Sequence, residues 1–278
     1  MAGANPRTVF ILGGSADIGR ALAERYLAAG CTVALTYRAR RSVSDLEGRP
    51  NLAMIECDVG SSASIEKAVR EFAGLGWQWD LFLSSVGTME PIGPFFDTAF
   101  GEWERSLSIN ALGQLHVLHG LYPLRRRGAT AHVMFFAGGG TNNPFTNYSA
   151  YAASKILLIK MAELLDDEAP DLNIFVVGPG YVRTKIHEET LRNAERAGRN
   201  LEKTQDFLKG AGTSYDDIFG CIEWCSAQGR PVAGGRNFSV VHDPWRNGGA
   251  ALAAALANDN DLYKLRRRQT LPVDPGSR

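Results

Sequence analysis

Short apolar runs separated by amphipathic stretches set the rhythm of this chain. "RTVFIL" (7–12) is apolar and β-branched and breaks at "GGSADIG". "RALAERYLAAG" (20–30) then spaces its apolar residues three and four apart and ends on Gly30. That sequence predicts a strand, a turn and a helix. "TVALTY" (32–37), "LAMIECDV" (52–59) and "WDLFLSSVG" (79–87) repeat the strand pattern, with a capped helix "SASIEKAVREFAGLG" (62–76) between the last two. Residues 100–128 read as one long helical stretch and "AHVMFFAGG" (131–139) as a fifth strand. A helix follows over 149–169, stopped before Pro170, and "LNIFVVGPGY" (172–181) is a sixth strand. Apolar strands alternating with helices indicate an α/β protein with a mostly parallel sheet covered on both faces. Residues 185–212 are polar and helix-prone, an excursion over the sheet, and the tail from His242 is Ala-rich and then basic at "KLRRR".

The bulk properties narrow the functional classes. With 278 residues, 45% hydrophobic and 22% charged, the chain suits one large soluble domain. Thirty basic against thirty acidic residues leave no net charge, which gives no support to nucleic acid or an anionic membrane as a partner. No apolar run is long enough to span a bilayer and none resembles a signal peptide, so a cytoplasmic location is expected. Cys31, Cys57, Cys221 and Cys225 have neither CxxC nor zinc-finger spacing and read as reduced core thiols. His116 and His119 share a helix face without a third ligand nearby, so no metal is expected.

Two groups of residues carry candidate chemistry. Gly13, Gly14 and Gly19 lie between the first strand and its helix, where glycine permits a tight turn and the helix N-terminus attracts phosphate. Such turns also serve purely structural ends. Asp17 is awkward beside a phosphate and offers itself as a helix cap instead. Tyr151 and Lys155, four apart, face the same way on one helix. A phenol of pKa about 10 becomes a usable proton shuttle when a neighbouring cation favours its phenolate.

"LGGSADIG", "CDV" (57–59), "SSVG" (84–87), "IN" (109–110), "YAASK" (151–155) and "PGYVRT" (179–184) occur in one order and together resemble the short-chain dehydrogenase/reductase family over about residues 7–241. The resemblance implies one Rossmann-type, doubly wound domain (1–241) with a seventh strand at "RNFSVV", followed by a tail (242–278), and a nicotinamide cofactor. It places Gly13, Ser15, Asp17, Ile18 and Gly19 around the pyrophosphate, and Asp58, Val59, Ser85 and Gly87 along the adenosine half. Pro179, Gly180, Val182, Thr184 and Ile186 fall by the nicotinamide. Tyr151 becomes the acid/base, Lys155 its tuning partner and ribose ligand, and Asn110 the holder of a water in the proton path. At the end of the second strand Tyr37 and Arg38 replace the acid that would accept from ribose hydroxyls. NADP(H) is therefore favoured over NAD(H).

One family residue is missing. The serine that donates to the substrate oxygen should lie thirteen or fourteen positions before Tyr151, at Gly138 or Ala137. Its loss is worth about 2.7–4 kcal/mol of transition-state stabilisation. Thr141, Asn142 or Asn143 could replace it, the amides of Gly138–Gly140 could do so, or carbonyl reduction could have been abandoned. Thr141→Ala or Asn142→Ala is expected to lower turnover, and serine returned at Ala137 or Gly138 to recover part of that loss. The leading reading is an NADP(H)-dependent interconversion of a ketone and a secondary alcohol on a small molecule. Its competitors are a cofactor-binding homologue with little turnover and a sugar-nucleotide-modifying enzyme that uses the cofactor transiently. Met89, Phe145, Tyr148 and Tyr181 are expected to wall the substrate pocket. A homodimer or homotetramer is expected through Leu112, Leu115, Leu118, Leu157, Leu158 and Met161.

Overall fold

A computed structural model describes residues 6–15 and 17–267. Its seven strands are β1 (Thr8–Leu12), β2 (Thr32–Tyr37), β3 (Leu52–Glu56), β4 (Leu81–Ser84), β5 (Ala131–Phe136), β6 (Leu172–Gly178) and β7 (Asn237–Ser239). They form one sheet in the order β3-β2-β1-β4-β5-β6-β7, with every neighbouring pair parallel. The strand order reverses beside β1, and a crevice at the carboxyl ends of β1 and β4 is where such a sheet takes a ligand.

Helices cover both faces because side chains along each strand alternate. Val9 and Ile11 of β1 enter one core and Phe10 and Leu12 the other. The second core is closed by α2 (Ser62–Gly74), α4 (Gly113–Leu121) and α5 (Ser149–Glu168). On the first face lie α1 (Asp17–Ala28), α9 (Tyr215–Gln228), α10 (Arg230–Ala233) and α11 (Ala250–Asn258). A third, small apolar cluster sits over the cleft, where α6 (Ile186–Arg192), α7 (Ala194–Ala197) and α8 (Asn200–Lys209) make up the expected excursion.

The long helical stretch is not continuous. It runs as α3 (Phe100–Leu107), a widened π-helical segment Ser108–Leu112, and α4, ending near Pro123. The wider turn allows Asn110 to reach the loop after β4 with its whole side-chain amide. Its Oδ1 accepts from the Thr88 amide at 2.8 Å and its Nδ2 donates to the Thr88 carbonyl at 2.8 Å. Such π segments recur at functional sites.

Two expectations are corrected. The C-terminal stretch is not a detached tail as far as Arg267. Trp245, Leu252 and Leu256 are buried in the first core. The Arg236 guanidinium, only 2% exposed, donates to the carbonyls of Pro231, Val232, Leu256, Asp259 and Leu262 and fastens the stretch down. Residues 268–278 of that tail lie outside the described residues. On the proposed subunit face, Leu118 and Leu158 point into the core and are unavailable, whereas Leu112, Ile156 and Leu164 stand in solvent. Helix α9, which the apolar pattern did not single out, opens with Ser214 accepting from the Asp217 amide at 3.0 Å, a cap legible as S-x-x-D.

Candidate active site

The turn after β1 is built so that backbone can lie against a ligand. Gly13 has a left-handed φ of +80° and donates its amide to Thr36 Oγ1 at 2.8 Å. A Cβ on Gly19 would overlap the Gly13 carbonyl and Ser85 Oγ, inside the 3.0 Å that real Cβ atoms keep. Ser85 Oγ closes this turn by donating to the Gly13 carbonyl at 2.9 Å. Asp17 (φ +49°) receives the Lys185 amide at 3.2 Å, so its carboxylate ties the excursion to the turn instead of serving as the expected helix cap.

From this turn a cleft of about 1110 Å³ runs along the carboxyl edge of the sheet. Gly13, Ser15, Asp17, Ile18, Tyr37, Arg38, Asp58, Val59, Ser85 and Gly87 border it, and Tyr151, Lys155, Pro179, Gly180, Val182, Thr184 and Ile186 continue the lining. Gly19 and Asn110 stand behind that wall. Tyr37 is buried, its hydroxyl accepting from Arg40 at 3.2 Å, and Arg40 is engaged by Glu47 at 2.9 Å. Arg38, by contrast, is exposed at the cleft and has no carboxylate partner among the described residues. Asp58 spends Oδ1 on the Gly60 amide at 2.9 Å and so shapes its own loop. A glycine cradle at a helix start and a cleft along the carboxyl edge of the sheet fit a dinucleotide.

Tyr151 and Lys155, on α5, are 7% and 4% exposed, and the ammonium lies 5.7 Å from the phenol ring centroid. Neither hydroxyl nor ammonium has a protein hydrogen-bond partner among the described residues. Burial pushes the Tyr151 phenol up to about 12, assisted by the negative Glu189. Burial alone pulls Lys155 down to about 8.

Behind them is a polar network that the sequence reading missed in part. Gln114, fully buried, accepts from Ser84 Oγ at 2.6 Å and donates to the Val86 and Asn110 carbonyls at 3.2 and 2.5 Å. The Asn110 amide side chain is thus occupied with Thr88, and its carbonyl already has one donor. In this structure its direct work is to order the loop at Gly87 and Thr88. Glu189 of α6 is the second omission. Its Oε2 accepts from the amides of Met89 (2.5 Å) and Glu90 (3.3 Å) and from Thr88 Oγ1 (3.0 Å), holding the excursion onto that loop. Burial raises its own pKa. Three acceptor bonds to one short loop are a tertiary feature with no sequence motif.

The missing serine has a steric explanation. A Cβ on Gly138 would overlap the Tyr151 hydroxyl and ring. Ala137 is buried in the second core. Serine at Gly138 would have to displace the phenol, which counts against a rescue there, whereas Ala137 also borders the cleft. Thr141 borders the cleft, but its hydroxyl donates to the Gly138 carbonyl at 3.0 Å. Asn142 is exposed on the lining, and Asn143 is exposed outside it. The amides of Gly138–Gly140 donate to no protein acceptor among the described residues. Among the described residues no helix is long and apolar enough to cross a membrane, and no cluster of three metal-ligating side chains occurs. The four cysteines are free and buried.

The Lys155 environment generates a stability prediction. The folded protein holds this ammonium at about 8 against an ordinary 10.5. Between those values the unfolded chain binds more protons, so stability rises with pH there. Below them the buried charge opposes folding by roughly 3 kcal/mol. Lys155→Met should therefore raise unfolding stability at pH 7 by about 1–3 kcal/mol, with the gain shrinking toward pH 10. Denaturant titration checks this, and an unchanged or lowered midpoint at pH 7 contradicts it.

Comparison with known proteins agrees with this geometry. The short chain dehydrogenase profile matches residues 7–195. A 3-ketodihydrosphingosine reductase of Eremothecium gossypii is 24% identical over 238 residues, covering 77% of this chain and 76% of that protein. The human mitochondrial dehydrogenase/reductase SDR family member 2 is 26% identical over 244 residues, covering 84% and 85%. Among solved structures, a short-chain dehydrogenase/reductase from Saccharomyces cerevisiae superposes with a TM-score of 0.78 at 17% identity, covering 89% of this chain and 98% of that one. A Shigella flexneri short chain dehydrogenase complexed with NADP gives 0.70 at 23%, covering 85% and 97%. With the family profile spanning the sheet from β1 to the excursion, the chain belongs to the short-chain dehydrogenase/reductase family of NAD(P)-dependent enzymes.

Proposed function

We propose that the protein interconverts a ketone and a secondary alcohol with NADP(H), using Tyr151 as the acid/base. The observation that carries this reading is the convergence of an unpaired phenol and an unpaired ammonium, both buried, in the same cleft as the glycine cradle. The cofactor, when bound, supplies or accepts the hydride. The chain's own residues do the rest: Lys155 donates to ribose hydroxyls and stabilises the phenolate, and Tyr151 moves the proton at the carbonyl oxygen. Glu189 works the other way, since its negative charge favours the protonated phenol and so the reduction direction. Arg38 takes the 2′-phosphate. Its unpaired state supports NADP(H), as does the NADP in the Shigella flexneri structure.

Oxyanion stabilisation passes to Asn142 and the Gly138–Gly140 amides. Thr141 holds the turn from which they are presented, with its own hydroxyl committed. A buried oxyanion without donors is costly, and among the described residues Asn142 and the Gly138–Gly140 amides donate to no protein acceptor.

Exposed apolar residues on the π segment and α5 support homo-oligomerisation. Ile156 and Leu164, two turns apart on α5, share a face, and Leu112 projects from the π segment. A closed dimer or tetramer would cover them.

Three outcomes follow. In calorimetric titration NADP should bind more tightly than NAD, and Arg38→Ala should narrow the difference. Tighter NAD binding to the parent would refute the assignment. With a ketone panel, NADPH should be consumed, and Asn142→Ala should lower kcat by about 10–1,000-fold with NADP affinity kept. Gly138→Ser should lower activity as well. A parent that binds NADPH yet reduces no ketone would instead support the low-turnover reading, while an Asn142→Ala variant with parental kcat would leave the backbone amides as donor. Light scattering at micromolar concentration should give a multiple of 30.2 kDa, and a monomer mass would refute the assembly.

A further inference from the structure

The wall of the cleft facing Tyr151 is supplied by the excursion, and its charge is lopsided. Arg199 and Lys203 stand at the start of α8, four residues apart on one face, and both border the cleft. Asn200 between them donates Nδ2 to the Thr146 carbonyl at 2.8 Å. That bond pins this end of α8 to the loop carrying Phe145, whose ring lies 6.2 Å from that of Tyr151. The end of α8 that carries the two cations is thereby fastened to the loop beside Tyr151. Neither has a carboxylate within ion-pair distance among the described residues.

Their neighbours are committed elsewhere. Arg196 spends its guanidinium on the carbonyls of Ile92 (2.7 Å) and Asp97 (3.1 Å). Arg192 also borders the cleft and reaches Glu90 only at 3.9 Å. On the acidic side Glu189 has its buried oxygen turned to the loop at Thr88–Glu90. Glu188 is then the remaining carboxylate of α6 on this lining, against Arg192, Arg199 and Lys203. Met89, Phe145 and Ile186 line the same cleft and pack with Tyr151 in a separate apolar cluster. An apolar stretch followed by unpaired cations at the mouth suits one kind of molecule.

We infer that Arg199 and Lys203, with Arg192 beside them, form a binding site for an anionic group, a carboxylate or a phosphate, joined through an apolar body to the carbonyl that Tyr151 serves. The site deepens the oxidoreductase reading and rests on it for the carbonyl. A guanidinium gives such an anion paired charge-assisted bonds, and the open mouth spares the cations most of their desolvation cost. A cationic mouth also gathers anionic substrate from solution, an effect that weakens with salt.

The test uses NADP-loaded protein, so that Arg38 and the cradle are occupied, and calorimetric titration with hexanoate, hexyl phosphate and 1-hexanol. At least one of the two anions should bind about 10–100-fold more tightly than the alcohol, the range of a charge-assisted bond. The stronger anion identifies which of the two groups the wall prefers. Arg199→Glu/Lys203→Glu, both exposed positions, should lose that preference while NADP still binds, and 0.5 M salt should reduce it. Equal binding of all three probes, or a preference that survives the double variant, overturns the proposal. Turnover separates the two readings. If the parent reduces a neutral keto ester better than the matching keto acid or keto phosphate, the substrate assignment fails and the oxidoreductase reading stands. If no ketone is reduced while the anion preference persists, the anion site stands and the oxidoreductase reading falls.

Discussion

A phenol and an ammonium are buried at the edge of a parallel sheet, and among the described residues no protein group hydrogen-bonds either of them. That constraint organises the rest of the site. Burial, helped at Tyr151 by the negative Glu189, drives the two groups toward neutrality, Tyr151 upward to about 12 and Lys155 downward to about 8, which is the wrong direction for a proton shuttle. A pair left in this state is useful only if a ligand completes it. The cleft provides for that with a glycine turn too tight for any Cβ at Gly19 and an arginine left free past β2. The positive charge of an oxidised nicotinamide and ribose hydroxyls for Lys155 would supply what the folded chain withholds.

The absent serine follows from the same crowding. Gly138 lies so close to the Tyr151 hydroxyl that a side chain there and the phenol's present position exclude each other. The loop beyond it is braced by Thr141 on the Gly138 carbonyl and packed under Phe145. On the opposite side Glu189 clamps the excursion to the loop that Asn110 and Gln114 order from behind. The site is thus a set of loops fixed by buried polar bonds on a rigid sheet.

Much of this was legible in the sequence. The strands are short apolar runs bounded by glycine, so their pattern alone locates β1, β2 and β6 closely, and the i, i+4 spacing of Tyr151 and Lys155 puts both on one face. The position of Arg38 just past β2, on the cleft lining, followed from the order of the strands. What escaped has no local signature. Glu189, Gln114 and Arg236 matter through bonds to backbone groups distant in the chain, and nothing in their flanking residues announces that. The break at Ser108–Leu112 leaves the apolar period of the helix almost intact, so it reads as continuous. The clash at Gly138 depends on where a side chain thirteen residues later comes to rest, which only the folded structure reveals.

The claim on which the account turns is that Tyr151 is an acid/base held out of range until the cofactor arrives. Its titration can be followed directly by tyrosinate difference absorbance, taking the parent protein minus Tyr151→Phe, without and with saturating NADP⁺. The account predicts a transition near 12 without cofactor. With NADP⁺ it should fall by about 2 units or more, the scale of shift that a nearby positive charge produces. A difference signal whose midpoint is the same in both conditions would contradict it.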